Sequence, residues 1–353
     1  TCIMSYKRPA FRHPSSSTNT IGFHLKDYEG ALSTLCAGCG HDSISSAIIQ
    51  ACFELAIPPH RIAKISGIGC SSKTPTYFIG NSHGFNSVHG RMPSVATGAV
   101  LANRDLTYIG VSGDGDTASI GMGQFAHVVR RNLNMLYIVM NNGCYGLTKG
   151  QDSATADVGS MGKAGHATMF SSIDLAGLAL ELGAGFVARS FSGDKDQLIP
   201  LIKAGIAHKG FALLDVLSPC VTFNNTLTST KSYTHVRDHM ETTAIADFIP
   251  YKNTITASQA PGEDKVIEMH DGSELHLKAL AAGWDPSNRL SAITAVHQAN
   301  EKGEVLTGLI FIDPQQMEVH EILNTVNTPL NQYGEKDLMP GVDALDEVNA
   351  SFR

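Results

Sequence analysis

The chain has 353 residues, 42% hydrophobic and 17% charged, enough apolar material for a large core, which excludes intrinsic disorder. Lys and Arg number 26 against 33 Asp and Glu, a formal charge of −7, and aromatics make up 7%, so nothing electrostatic argues for a nucleic-acid partner. No uncharged apolar run reaches the ~18 residues of a membrane span, and Thr1 to Ser17 holds no apolar signal region, so no membrane association, no secretory signal and a cytoplasmic location are expected.

Residues 1–30 read as an irregular arm, 31–225 as one α/β domain and 226–353 as a C-terminal extension. Ile44, Ile48, Cys52 and Leu55 share one helical face, with Asp42 or Ser43 as cap and Pro58-Pro59 as stop. A short strand carrying Ile62, Ile65 and Ile68 opens into Gly67-Ile68-Gly69-Cys70-Ser71-Ser72-Lys73. A polar loop from Asn81 to Arg91 precedes a small-residue helix from Pro93 to Ala102. Leu106–Val111 reads as a buried strand ending in Ser112-Gly113-Asp114-Gly115-Asp116, Ile120–Arg131 as a helix, and Met135–Met140 as a second buried strand ending in Asn141-Asn142. After a Gly-rich loop to about Ala167, helices are expected at Ile173–Leu182 and Asp194–His208, and strands at Gly185–Arg189 and Phe211–Val216. This alternation predicts a doubly wound parallel sheet with helices on both faces and ligands beyond the carboxyl ends of its strands. In the extension, Lys265–Leu280 reads as a hairpin turning at Asp271-Gly272, Pro286–Asn300 as a helix, Leu306–Ile312 as a strand, and 313–353 as an extended tail with a short helix that packs on a neighbouring subunit.

The first chemical signal is Gly113-Asp114-Gly115 followed, after one helix and one strand, by Asn141-Asn142. A right-handed crossover puts both turns on one edge of the sheet, so Asp114 and Asn142 can converge on a cation. One carboxylate, one amide oxygen and a backbone carbonyl suit magnesium, which keeps its remaining positions for phosphate or water. The helix near Ile120 offers N-terminal amides to a diphosphate. Taken singly, each turn is also common with no ligand at all. Gly121-Met-Gly123-Gln-Phe-Ala126 matches a dinucleotide fingerprint. It does not follow a strand directly, and the next strand ends in Asn-Asn where an acidic residue is needed, so a nicotinamide cofactor is not expected.

Seven cysteines without an export signal point to metal or catalytic use over disulfides. Cys36-Ala-Gly-Cys39, Cys70 and Cys220 can all reach one sheet edge, and four thiolates suit Zn²⁺ or a [4Fe–4S] cluster. A zinc ribbon pairs two close Cys-x-x-Cys units and only one is present, which favours iron–sulfur. Thioredoxin-like chemistry is weaker, because Cys39 does not open a helix directly after a strand. Cys52 sits on an apolar stripe and reads as core; Cys2 is unassigned.

Cys36-Ala-Gly-Cys39-Gly-His41, Gly69-Cys70-Ser-Ser-Lys73, His89-Gly-Arg91, Gly113-Asp-Gly-Asp116, Asn141-Asn142, Tyr145-Gly-Leu-Thr-Lys149-Gly-Gln151 and Ser218-Pro-Cys220-x-Thr-Phe-Asn224 occur in that order. Over about residues 30–330 the chain closely resembles the β subunit of 2-oxoacid:ferredoxin oxidoreductases, most like the 2-oxoglutarate type. The resemblance implies a thiamin diphosphate-binding fold of the pyrophosphate type. It implies a [4Fe–4S] cluster on Cys36, Cys39, Cys70 and Cys220, and Mg²⁺ on Asp114, Asn142 and the carbonyl of Cys144. It implies a coenzyme pocket of Gly38, His41, Ser71, Ser72, Lys73, His89, Gly113, Asp114, Gly115, Asp116, Asn142, Cys144, Tyr145, Gly146, Leu147 and Thr148. Lys73 and Lys149 are then the catalytic residues, facing the coenzyme and the substrate carboxylates. One departure is visible: the family often follows Lys-Gly-Gln with Ser-Pro-Thr, where this chain has Asp152-Ser153-Ala154-Thr155.

The implied reaction converts 2-oxoglutarate, coenzyme A and oxidised ferredoxin to succinyl-CoA, CO₂ and reduced ferredoxin, or the reverse. The thiazolium serves as electron sink and the cluster takes electrons singly. Pyruvate or a broad range of oxoacids is the alternative substrate. The chain holds one thiamin-type unit, so the Glu that activates the coenzyme's pyrimidine is expected from an α subunit, with an α₂β₂ assembly implied. Two further readings stay open: a non-redox thiamin-dependent decarboxylase subunit, which needs no cluster, and a Cys₄ zinc scaffold, which would be colourless.

Overall fold

The computed structural model describes residues 17–161, 165–226, 229–249, 264–268, 274–279, 284–339 and 341–353. Cys2 and the turn at Asp271-Gly272 lie outside the described residues. Helix α1 (Gly40–Glu54) starts ahead of its apolar stripe, with Cys39 as its N-cap in place of Asp42 or Ser43. The Ser43 hydroxyl instead donates to the Ser192 carbonyl at 2.6 Å. Then follow β1 (Ile62–Ser66), α2 (Cys70–Lys73), β2 (His83–Asn86), α3 (Met92–Ala102) and β3 (Thr107–Gly113). The expected helix at Ile120 is two pieces: a π-helical turn, Gly115–Ile120, and α4 (Met122–Arg130). Next come β4 (Met135–Asn141), the two-residue strands β5 (Cys144–Tyr145) and β6 (Gln151–Asp152), α5 (Leu175–Glu181), β7 (Phe186–Phe191), α6 (Lys195–Ala207) and β8 (Phe211–Leu217). Asp174 and Asp194 cap α5 and α6 with their carboxylates.

The later chain adds α7 (Tyr233–His239), β9 (Met240–Thr242), β10 (Ala244–Ile249), β11 (Asp264–Glu268), β12 (Glu274–Ala279), α8 (Arg289–Lys302), β13 (Val305–Ile312), α9 (Val319–Ile322), α10 (Glu335–Leu338) and α11 (Val342–Ser351). The expected hairpin strands, β11 and β12, pair antiparallel, and β10 adds a third strand beside β12. Among its described residues the tail carries α9, α10, α11 and a 3₁₀ turn, Leu330–Gln332, where one short helix was expected.

The main sheet runs β2-β1-β3-β4-β8-β7-β13-β9. Strands β2 through β7 in that order are parallel; β13 runs antiparallel to β7 and β9 parallel to β13. The fold is α/β, a mostly parallel sheet with helices on both faces. The apolar runs explain it. Every residue of β4 and β8 is buried, as a strand covered on both faces requires. Alternate residues serve opposite faces: Leu136, Ile138, Met140 and Leu214 pack toward α1 and α6, while Tyr137, Val139 and Leu213 pack with Phe125 of α4 and with α5 and α8. The loops after β1, β3, β4 and β8 therefore share one edge, and these loops carry the Gly, Asp, Asn and Cys residues of the motifs.

Candidate functional site: a carboxylate–amide pair beside a thiol corner

Asp114 follows the last residue of β3, and Asn142 follows the last residue of β4, the neighbouring parallel strand. The Asn142 amide donates to Asp114 Oδ1 at 3.3 Å. Asp114 Oδ2 accepts from the hydroxyls of Ser153 and Thr155, the latter at 2.7 Å. Burial pushes the Asp114 carboxyl up, and these hydroxyls and the amide pull against that push. Among the described residues no Lys or Arg pairs with it, and a carboxylate that is 1% exposed without a cationic partner suits a bound cation. Asn142 Oδ1 accepts from the Cys144 amide at 3.1 Å, and its backbone carbonyl accepts from Asn224 Nδ2 at 2.8 Å. The amides of the π-helical turn begin directly after Asp114. The Tyr145 hydroxyl donates to the Gly115 carbonyl at 3.1 Å, and the ring lies so close that a Cβ on Gly115 would stand 2.5 Å from it.

One cleft gathers His41, Ser71, His89, Gly113, Asp114, Gly115, Asp116, Asn142, Cys144, Tyr145, Gly146, Leu147 and Thr148. His41 is buried, its Nδ1 2.6 Å from Ser218 Oγ, and burial pushes its imidazole down to about 4. The cysteines meet at the cleft's side. A Cβ on Gly146 would lie 3.5 Å from Cys70 Sγ and 3.6 Å from Cys220 Sγ. Cys220 is pulled down to about 6 by a hydrogen bond from the Cys144 thiol, against burial, with help from the amides of Thr222, Phe223 and Asn224. Burial pushes Cys39 up to about 11 against the His41 amide, and Cys220 and Cys70 add to the push. Cys70 feels Cys36 and Cys220 in the same way, with Lys73 opposing them. Cys39, Cys70 and Cys220 are thus electrostatic neighbours and Cys36 acts on Cys70, and the amides around Cys220 suit an anionic sulfur. Among the described residues no group of three or more Cys, His, Asp or Glu side chains stands arranged to hold a metal ion.

Comparison with known proteins fits this geometry. Residues 67–216 match the thiamine pyrophosphate enzyme family, C-terminal TPP binding domain. A 2-oxoglutarate synthase subunit KorB of Methanocaldococcus jannaschii is 39% identical over 189 residues, 53% of this chain and 69% of that protein. The chain belongs to the β subunits of 2-oxoacid:ferredoxin oxidoreductases. The 2-oxoacid:ferredoxin oxidoreductase subunit beta of Saccharolobus solfataricus is 44% identical over 191 residues, and the match spans 54% of this chain and 63% of that relative's length. A solved 2-oxoglutarate:ferredoxin oxidoreductase from Magnetococcus marinus, with 2-oxoglutarate, coenzyme A and succinyl-CoA bound, superposes with a TM-score of 0.72 at 28% identity, covering 94% of this chain and 98% of that one.

Within this family frame, Gly38, Ser72, Lys73 and Lys149 stand outside the cleft lining. Lys73 is half-buried at the end of α2, and Lys149 is exposed with φ 81, the left-handed region a side chain rarely adopts. Ser72 Oγ is buried with no hydrogen-bond partner. Asp116 lines the cleft, yet its carboxylate accepts from the Gly90 amide and Ser112 Oγ, both at 2.7 Å. Its place is to tie the His89 loop to β3. Cys144 contributes a thiol contact to Cys220 where only its backbone was expected to matter. Ile68, Gly69, Ile120 and Met140 complete the lining, and Ser153, Thr155 and Asn224 grip the Asp114–Asn142 pair. Asn224 closes the Ser218-Pro-Cys220-x-Thr-Phe-Asn224 motif, and Ser153 and Thr155 keep the two hydroxyls of the Ser-Pro-Thr that the family often carries after Lys-Gly-Gln.

Proposed function

We propose that the chain is the β subunit of a thiamin diphosphate- and iron–sulfur-dependent 2-oxoglutarate:ferredoxin oxidoreductase, forming succinyl-CoA, CO₂ and reduced ferredoxin or running the reverse. The observation that carries this is the shared wall: Gly146 lies between the cleft of Asp114 and Asn142 and the thiols of Cys70 and Cys220. Asp114, the Asn142 amide oxygen and the Cys144 carbonyl would hold Mg²⁺, with the π-turn amides toward a diphosphate. Cys36, Cys39, Cys70 and Cys220 would hold a [4Fe–4S] cluster. Bound there, the coenzyme supplies an electron sink for decarboxylation and the cluster a one-electron acceptor. The chain's own part is to bind and orient. Buried Asp114 anchors the metal, neutral His41 keeps Ser218 fixed beside Cys220, and Lys73 and Lys149 bring positive charge to the rim for substrate carboxylates.

An α subunit supplying the pyrimidine-side Glu, a ferredoxin, coenzyme A and an α₂β₂ assembly complete the proposal. Exposed Ile120 and Leu147 on the cleft lining, with exposed Val88 beside His89, give an apolar rim that suits an α subunit closing over the coenzyme. Anaerobic purification of the complex tests the reading. A brown protein that bleaches with dithionite, contains thiamin diphosphate and turns over 2-oxoglutarate faster than pyruvate in the presence of coenzyme A is the expected result. A colourless, zinc-loaded chain, or aldehyde release without acceptor reduction, would overturn it.

A further inference from the structure

The segment after β6 does more than shape the substrate side of the cleft. Ser153 and Thr155 are both buried, and both aim their hydroxyls at one oxygen, Asp114 Oδ2. Each hydroxyl has a second acceptor within reach. Ser153 Oγ lies 3.1 Å from Thr155 Oγ1, and Thr155 Oγ1 lies 3.0 Å from Asn141 Oδ1. A hydroxyl has one hydrogen, so each can serve only one of its two acceptors at a time. Asn141 is itself fixed, because its Nδ2 donates to Asp215 Oδ1 at 3.1 Å, and Asp215 Oδ2 accepts from Arg189 Nε at 3.0 Å.

We infer that Ser153 and Thr155 are positioning residues for the metal carboxylate: their hydroxyls donate to Asp114 Oδ2 and hold the carboxylate in one orientation, before the ion binds and while it is bound. This inference rests on the reading of Asp114 as a Mg²⁺ ligand. Its physical content is that two buried hydroxyls on one carboxylate oxygen fix the side chain's orientation, so the ligand needs no rearrangement on loading. A site built this way is oriented before the ion arrives and does not incur an unsatisfied polar group on loading.

The test is calorimetric titration of Mg²⁺ into the full assembled protein, stripped of metal and supplied with thiamin diphosphate. Thr155→Val, which keeps the shape and removes the hydroxyl, is expected to weaken Mg²⁺ about 10–100-fold. Thr155→Ser is expected to restore it, and Ser153→Ala to weaken it in the same direction. Thermal melting of each metal-free variant identifies any that fails to fold, and the remaining variants then decide. Thr155→Val and Ser153→Ala binding Mg²⁺ as tightly as the unsubstituted chain would overturn the inference. So would Thr155→Ser binding as weakly as Thr155→Val, which would assign the effect to the methyl group. Absence of Mg²⁺ binding by the unsubstituted protein would instead strike the functional reading on which the inference stands.

Discussion

Gly67 marks a position where the backbone can carry no side chain. A Cβ there would stand 1.7 Å from Asp116 Oδ2, and that carboxylate is the tie between Gly90 and Ser112. Gly67→Ala is expected to cost about 1–3 kcal/mol by overpacking, measured as a lower urea midpoint. The Gly-Asp-Gly-Asp motif assigns Asp116 to the coenzyme; the carboxylate lines the cleft and also accepts from Ser112, four residues back, and from the distant Gly90 amide, which no local spacing reveals. Gly146 makes the opposite point: a Cβ there would only touch Cys70 Sγ at 3.5 Å and Cys220 Sγ at 3.6 Å, ordinary contact distances, so a larger side chain would crowd the two sulfurs. Gly146→Val should lower iron per chain while the urea midpoint holds; unchanged iron would count against that corner as the cluster site. Lys64 sets a pH dependence. Its Nζ is buried, donating to the carbonyls of Phe78 at 2.5 Å and Ile79 at 2.8 Å, and burial pushes it from 10.5 down to about 8. Between those values the unfolded chain keeps a proton that the folded chain has lost, so stability rises with pH through that window. Urea midpoints recorded from pH 7.5 to 10.5 should show this rise in the native chain and not in Lys64→Met.

At the scale of elements, half-buried Asp174 and buried Asp215 on either side of Arg189 join α5, β7 and β8. Burial pushes Asp174 up, but Arg189 and Asn300 hold it below the usual carboxylate range. Arg189→Leu strands two carboxylates and is expected to cost about 3–5 kcal/mol in urea unfolding. The central strands were legible because strands buried on both faces are continuous apolar runs. Strand β2 was not: His-Gly-Phe-Asn is exposed throughout and sits at the sheet edge, so neither alternation nor a run betrays it. The direction of β13 was equally hidden, since an apolar run reads the same parallel or antiparallel. The start of α1 lay outside its apolar stripe, because capping by Cys39 set it. The π-helical turn has no periodicity of its own to read.

Over the whole molecule, the meeting of Asp114 and Asn142 was legible because the loops after adjacent parallel strands share one edge, whereas the aim of Ser153 and Thr155 at Asp114 depends on how the segment after β6 folds back. The outer tail contributes little to this architecture. None of α11 is buried, and deleting residues 341–353 should move the chain's unfolding free energy by less than about 0.5 kcal/mol. No described helix is long and apolar enough to cross a membrane. The four thiols assigned to the proposed cluster come from three distant stretches, before α1, at the head of α2 and beyond β8. During translation the ribosome releases the last of them only after the central strands have been made. On the proposed cluster reading, an iron donor would meet no complete set of thiols on a nascent half-chain, and insertion would be a late event in biogenesis.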